Sequence, residues 1–208
     1  MNTQTDPTQN GMEAARQSFS GKGLTESQFQ EAWAITGILH AEIQKSGSFR
    51  EKLTDYAHAF ARNQKFDAMR GETILRDIYT AGNGRSMNQT REALMEREAQ
   101  VPETAQPEIL AHAERVERLI QDGPTQPFYK AYDQAAVELA GKLQITQSGA
   151  KEMMKEAYRT AHGRDLYEAG KELEEAYHKP VREAEIASRK AEKLESPSQQ
   201  RAQSQSMG

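Results

Sequence analysis

Two turns of this chain carry an arginine that backbone geometry does not ask for. One is Gly84-Arg85-Ser86 and the other Gly163-Arg164-Asp165. A glycine there can end a helix at positive φ, and a serine or aspartate can cap the next one. Neither job needs a guanidinium. Its planar fork suits bidentate pairing with a carboxylate on a neighbouring helix, or with an anionic group of a partner. Arg85 and Arg164 are therefore the candidate binding residues.

A second stretch offers different chemistry. Residues 138–155, Glu-Leu-Ala-Gly-Lys-Leu-Gln-Ile-Thr-Gln-Ser-Gly-Ala-Lys-Glu-Met-Met-Lys, have the pattern of a helix-turn-helix. Ala140 sits where two helices pack closely, Leu143 and Ile145 flank the turn, and Thr146 caps the second helix. Gln147, Ser148, Lys151 and Lys155 would then face a DNA major groove. Gln144 stands where such turns usually carry glycine. An amphipathic hairpin gives the same pattern, so DNA readout is the alternative reading.

Other chemistries lack their residues. There is no Cys, so disulfides, thiolate nucleophiles and Cys-rich zinc sites are excluded. The five histidines (40, 58, 112, 162 and 178) form no close ligating pair, and no metal or cofactor is expected. No phosphate-binding loop or nucleophile elbow occurs. Tyr79 and Tyr158 recur at one repeat position, which reads as packing. No catalytic residue is nominated, and a non-enzymatic protein is expected.

Those residues must be positioned by helices. At a shift of 79, Phe49 falls on Phe128, Asp67 on Thr146, Tyr79 on Tyr158, Gly84 on Gly163 and Leu94 on Leu173, with no gap. The register predicts an all-α fold of two tandem duplicated helical units, each an antiparallel bundle. Start signals support it. They are Thr25 with Gln28, Ser48 with Glu51, Asp67, Ser86 with Gln89, Pro107, Pro127, Thr146, and Asp165 with Glu168. Gly47, Gly84, Gly123 and Gly163 supply stops, and Pro180 should break or kink the last helix near His178. The expected organisation is a disordered segment 1–22 with no more than a weak helical turn and a first unit 23–100. A linker 101–106, a second unit 107–195 with a charged C-terminal helix, and a disordered tail 196–208 follow.

Composition sets the outer limits. Of 208 residues 36% are hydrophobic, and the mean hydropathy is -0.88. That suits helices with a single apolar stripe, arrayed or sharing a core in a homo-oligomer. A net charge of -4 disfavours sequence-blind nucleic-acid binding. The N-terminus has no apolar signal region and no stretch is long enough to span a bilayer, so a cytoplasmic protein is expected unless export uses another signal.

Two segments resemble known helical proteins. Phe60-Ala-Arg-Asn-Gln-Lys-Phe-Asp-Ala-Met-Arg-Gly-Glu, continued by Ser86-Met-Asn-Gln-Thr-Arg-Glu-Ala-Leu-Met-Glu-Arg-Glu, resembles helical segments of alphaproteobacterial conjugation proteins. Leu139-Ala-Gly-Lys and the helices running to Tyr177 resemble the BID domain, the helical signal by which type IV secretion machinery recognises relaxases and effectors. The tail departs from that family, since Arg201 is its one cationic residue. The resemblance implies a helical recognition module from a plasmid or other mobile element, with a transfer or secretion component as its protein partner. It implies no activity.

Overall fold

The computed structural model describes residues 7–123 and 126–204, with side chains described for 10–123 and 126–191. The fold is all-α, and no strand occurs among the described residues. The helices are α1 (Pro7–Phe19), α2 (Glu26–Ser46), α3 (Arg50–Gln64), α4 (Ala68–Asn83) and α5 (Met87–Ala99), then a 3-10 turn (Glu103–Ala105), α6 (Gln106–Asp122), α7 (Phe128–Leu143), α8 (Gln147–His162) and α9 (Leu166–Ser204).

The chain divides into two units. The first is Met1–Pro102 with Ala140–Ala150; the second is Glu103–Leu139 with Lys151–Gly208. The chain passes between them three times, at Pro102–Glu103, Leu139–Ala140 and Ala150–Lys151. The turn joining α7 to α8 belongs to the first unit, whereas the sequence assigns all of 107–195 to the second. Sequence spacing cannot reveal this, because the docking of that turn rests on single side chains described below.

The first unit closes around Phe29, Leu39, Ile43, Phe49, Leu53, Phe60, Leu75, Ile78 and Tyr79, all buried. In the second unit Ile109, Val116, Ile120, Phe128, Leu139, Met154 and Leu166 are buried. Each set follows the 3–4 residue spacing that gives a helix one apolar edge. Removing those edges from water drives the packing.

Caps set the helix ends. Thr25 and Ser86 make full capping boxes with Gln28 and Gln89. Asp67 accepts from the Arg70 amide at 2.8 Å, Thr146 from the Gly149 amide at 2.9 Å, and Asp165 from the Tyr167 amide at 2.8 Å. Gly47, Gly84 and Gly163 close α2, α4 and α8 at φ near 68°, 67° and 67°. The 79-residue register extends to backbone detail. α4 and α8 start at matched positions, as do α5 and α9. Lys65 and Gln144 take matching left-handed φ of 57° and 55°. Next to them the Phe66 and Ile145 amides donate to the Ala61 and Ala140 carbonyls at 2.8 and 3.1 Å.

Three expectations need correction. Ser48 does not cap α3: Phe49 is its N-cap, without a side-chain hydrogen bond, because that ring is drawn into the core. Pro180 does not end α9, which runs on to Ser204. The carbonyl that loses its donor there is that of Ala176, on an exposed edge where water can replace it. Residues 1–22 hold more than a weak turn, since Ala15 and Phe19 of α1 are buried in the first core. Residues 1–6 and 205–208, the outer parts of the two segments expected to be disordered, lie outside the described residues.

Candidate functional site

The repeated arginines have different surroundings. Arg164 pairs with Glu172 two turns into α9, at 2.6 Å, and that carboxylate raises the guanidinium pKa further. Arg85 is exposed with no ion pair among the described residues. The register explains why: Ala93 stands where Glu172 does.

The hairpin residues are largely engaged. In the first unit, Thr146 Oγ1 donates to the Glu98 carboxylate at 2.8 Å, and Ser148 Oγ donates to the Lys45 carbonyl at 3.0 Å. Gly149 lies so close to the Glu98 carboxylate that a Cβ there would collide with it. Gln147 is half-buried. In the second unit, Lys151 pairs with Asp133 and stands 5.5 Å from the Tyr132 ring centroid, while Lys155 approaches Glu152 at 4.0 Å. The leading turn of α8 is thus packed against protein, and its two lysines meet carboxylates. That arrangement weighs against entry of α8 into a groove lined by phosphates.

The repeated tyrosines also part company. Tyr79 is fully buried and donates to Thr90 Oγ1 at 3.2 Å. It is therefore free to accept from His40 Nδ1–H at 2.8 Å, which leaves His40 Nε2 to accept from Gln44 Nε2–H at 3.0 Å. Burial holds the His40 imidazole below its usual range, so the chain of bonds is neutral. Tyr158 instead donates to the Glu117 carboxylate, and the His162 ring lies 4.4 Å from its centroid. Burial first, and then the Glu117 carboxylate, push the Tyr158 hydroxyl up to about 12.

A feature with no sequence signal lies in the second unit. Between α6 and α8 runs a groove of about 660 Å³ lined by Pro107, Leu110, Met153, Ala157, Thr160 and Ala161, with Gln106 and Glu156 also on its lining. Its floor is apolar, and its walls are half-buried or exposed. Arg159 and Glu156 pair beside it. One helical turn beyond Leu110, Glu114 meets His162 Nε2 at 3.1 Å and ties α6 to α8. Sequence reasoning missed the groove because its residues sit on the ordinary amphipathic edges of two helices far apart in sequence. The 79-residue shift could have pointed to it, since Ala157 and Ala161 replace Ile78 and Gly82.

The buried carboxylate of Glu174 organises the other side of this unit. It accepts from the Phe128 amide at 3.1 Å, from Lys171 at 2.9 Å and from Arg182 at 3.0 Å. Burial alone would raise its pKa, but these three donors outweigh it and hold the group at about 2. His178 is fully buried and donates from Nε2 to the Ile120 carbonyl at 3.0 Å, fastening α9 to α6.

Among the described residues, no cluster of three or more His, Asp or Glu side chains could hold a metal ion. Nor is any of their helices long and apolar enough to cross a membrane. A scan against protein-family models, a search of curated proteins and a search of solved structures each return no match for this chain.

Proposed function

We propose that this chain is a non-enzymatic helical interaction module that binds another protein through its second unit. The observation that carries the reading is the open apolar groove between α6 and α8. Apolar concavities of this size on a protein surface are where partners seat side chains. Exposed Tyr129, Val137, Tyr167 and Tyr177 add apolar area to the same unit. The resemblance to conjugation and BID-like helices directs the search to a transfer or secretion component. On this reading the protein acts in the cytoplasm, or is exported by type IV secretion. The 79-residue register supports an origin of the two helical sets by duplication. The alternative, duplex readout by 138–155, has less support, because Ser148, Lys151 and Lys155 already have protein partners.

The test is site-specific photocrosslinking from position 157, with position 183 on α9 as control, in cells that carry transfer machinery. A transfer or secretion component should crosslink from 157 and not from 183, and Ala161→Arg should abolish the adduct. Identical adducts from both positions would reject the reading. A gel shift that weakens steeply with salt would favour DNA instead.

A further inference from the structure

Resting on that reading, we infer that the groove takes an amphipathic helix of another protein, built on the pattern of α1. The first unit shows the matching face already covered. Met153, Glu156, Ala157, Thr160 and Ala161 on α8 correspond at the 79-residue shift to Ile74, Asp77, Ile78, Ala81 and Gly82 on α4. There, Ile74 and Ile78 are buried, and α1 packs along α4. The crossing is close: a Cβ on Gly11 of α1 would stand 2.7 Å from the Gly82 carbonyl oxygen. Met12, Ala15 and Phe19 supply the rest of the covering edge. At their spacing of three to four residues they form a single helical stripe, the form in which a helix fills a groove.

Among the described residues, the second unit carries the frame without the cover. α6 through α9 repeat the order of α2 through α5, and α6 is preceded by the short turn Glu103–Ala105, too brief to cover α8. The lining has also changed size. Ala157 replaces Ile78, so the floor is deeper, whereas Ala161 replaces Gly82, so the crossing is slightly wider. The occupant accordingly carries a small residue over Ala161 and, one turn along, a bulkier apolar residue than Ala15 over Ala157 and Met153. A second copy of this chain is a poor donor of such a helix. Its own α1 is already seated, with Ala15 fully buried.

The probe is a labelled, end-capped peptide with the α1 sequence of residues 7–22 and leucine in place of Ala15. Fluorescence anisotropy against the full chain should show saturable binding. Binding should weaken at least about ten-fold for Ala161→Arg and for Thr160→Arg, a second variant at an exposed position. Circular dichroism would confirm that both variants stay folded. The peptide should also compete with the crosslink from position 157. A scrambled peptide that binds equally well, or a crosslink that persists undiminished under saturating peptide, overturns the helical occupant while leaving a protein partner in place. Loss of the crosslink itself removes the underlying reading as well. Concentration-dependent dimerisation of the chain that Ala161→Arg abolishes would make the occupant a second copy, and the inference would fall.

Discussion

The α4 face beneath α1 and the α8 face lining the open groove occupy the same register, yet one lies under a helix and the other is open. The frame is common to both: α4 and α8 start at matched positions, end at the matched Gly84 and Gly163, and follow matched left-handed residues at Lys65 and Gln144. What differs is the outward side chain at each matched position and the presence of a covering helix. Ile78 against Ala157 and Gly82 against Ala161 distinguish the covered face from the open one, and Ala93 against Glu172 distinguishes the two turn arginines. Backbone architecture and surface role are therefore set by different residues, and the second can change while the first is kept.

The sharpest way to break the comparison is to place the same side chain on both faces. Gly82→Leu would drive atoms into Trp33 and the Gly11 backbone. It should destabilise the protein by about 3 kcal/mol, the upper range for overpacking, even after the helix-propensity gain from losing glycine. Ala161→Leu adds a similar group over an open groove and should change stability by no more than about 0.5 kcal/mol. Urea melts of the two variants and the parent measure both. Equal losses would mean that the α8 face is as tightly covered as the α4 face.

A second difference is acid sensitivity. Glu174 has no acidic counterpart in the first unit, where Met95 stands at its position. Its folded pKa is depressed to about 2 from the ordinary 4.5 of a glutamate. A depressed carboxylate contributes stability that is fully present above its unfolded pKa and is lost as pH falls toward the folded value. The window is therefore from about 4.5 down to about 2. Glu174→Ala leaves the buried Phe128 amide without its acceptor and should cost about 2 kcal/mol at neutral pH, with a gap to the parent that closes across that window. The single tryptophan, Trp33, lies in the first unit and reports on it alone. On acidification, helix content by circular dichroism should fall before Trp33 fluorescence changes. Simultaneous transitions would show that Glu174 does not set the weak point.

Much of this frame was legible because it rests on local rules. Thr25, Asp67, Ser86, Thr146 and Asp165 act where a cap is needed, and each bond spans two or three residues. The buried tyrosine pair was legible from its recurrence. Phe49 at an N-cap was not, because a tertiary contact outbid the local preference of Ser48. Nor was the α1 cover, since the gain from burying Ala15 and Phe19 comes from residues distant in sequence. The candidate site was the least legible. Of the nominated residues, Arg164, Ser148, Lys151 and Lys155 have partners within the protein, and only a fold can say so. The groove joins Pro107 and Leu110 of α6 to Met153, Ala157, Thr160 and Ala161 of α8, ordinary residues that attract no notice until the two helices are seen side by side.

The tyrosine pair offers a finer probe. Tyr79→Phe removes the link between His40 and Thr90 at a fully buried hydroxyl, leaving the Nδ1–H of the half-buried His40 without its acceptor. Tyr158→Phe removes a donor to Glu117, which is half-buried and can recruit water. The first should cost about 1.5 kcal/mol and the second about 0.5 kcal/mol, since a lost hydrogen bond is expensive chiefly when its partner cannot be rehydrated. Thermal melts of both variants decide the order. A larger loss for Tyr158→Phe would mean that the Glu117 contact is the better sealed of the two.

The smallest effect concerns the two arginines, and it bears on what their repetition means. Arg164 meets Glu172 at a position where both side chains are well exposed, so solvent and entropy erode most of the pair's worth. Arg164→Ala should lower the melting midpoint slightly at low ionic strength. The difference should vanish in about 0.5 M salt, where the screening length is only a few ångströms. Arg85→Ala should leave the midpoint unchanged in either condition, because Arg85 has no ion pair among the described residues. Ala93→Glu supplies the missing partner at the matched position and should transfer the salt-sensitive increment to the first unit. If it does, the two turns are equivalent in backbone, and the pairing of their arginines differs through the carboxylate offered two turns later. If Ala93→Glu has no effect while Arg85→Ala weakens partner binding, Arg85 is reserved for a contact outside the chain. The unpaired guanidinium, rather than the paired one, is then the binding residue.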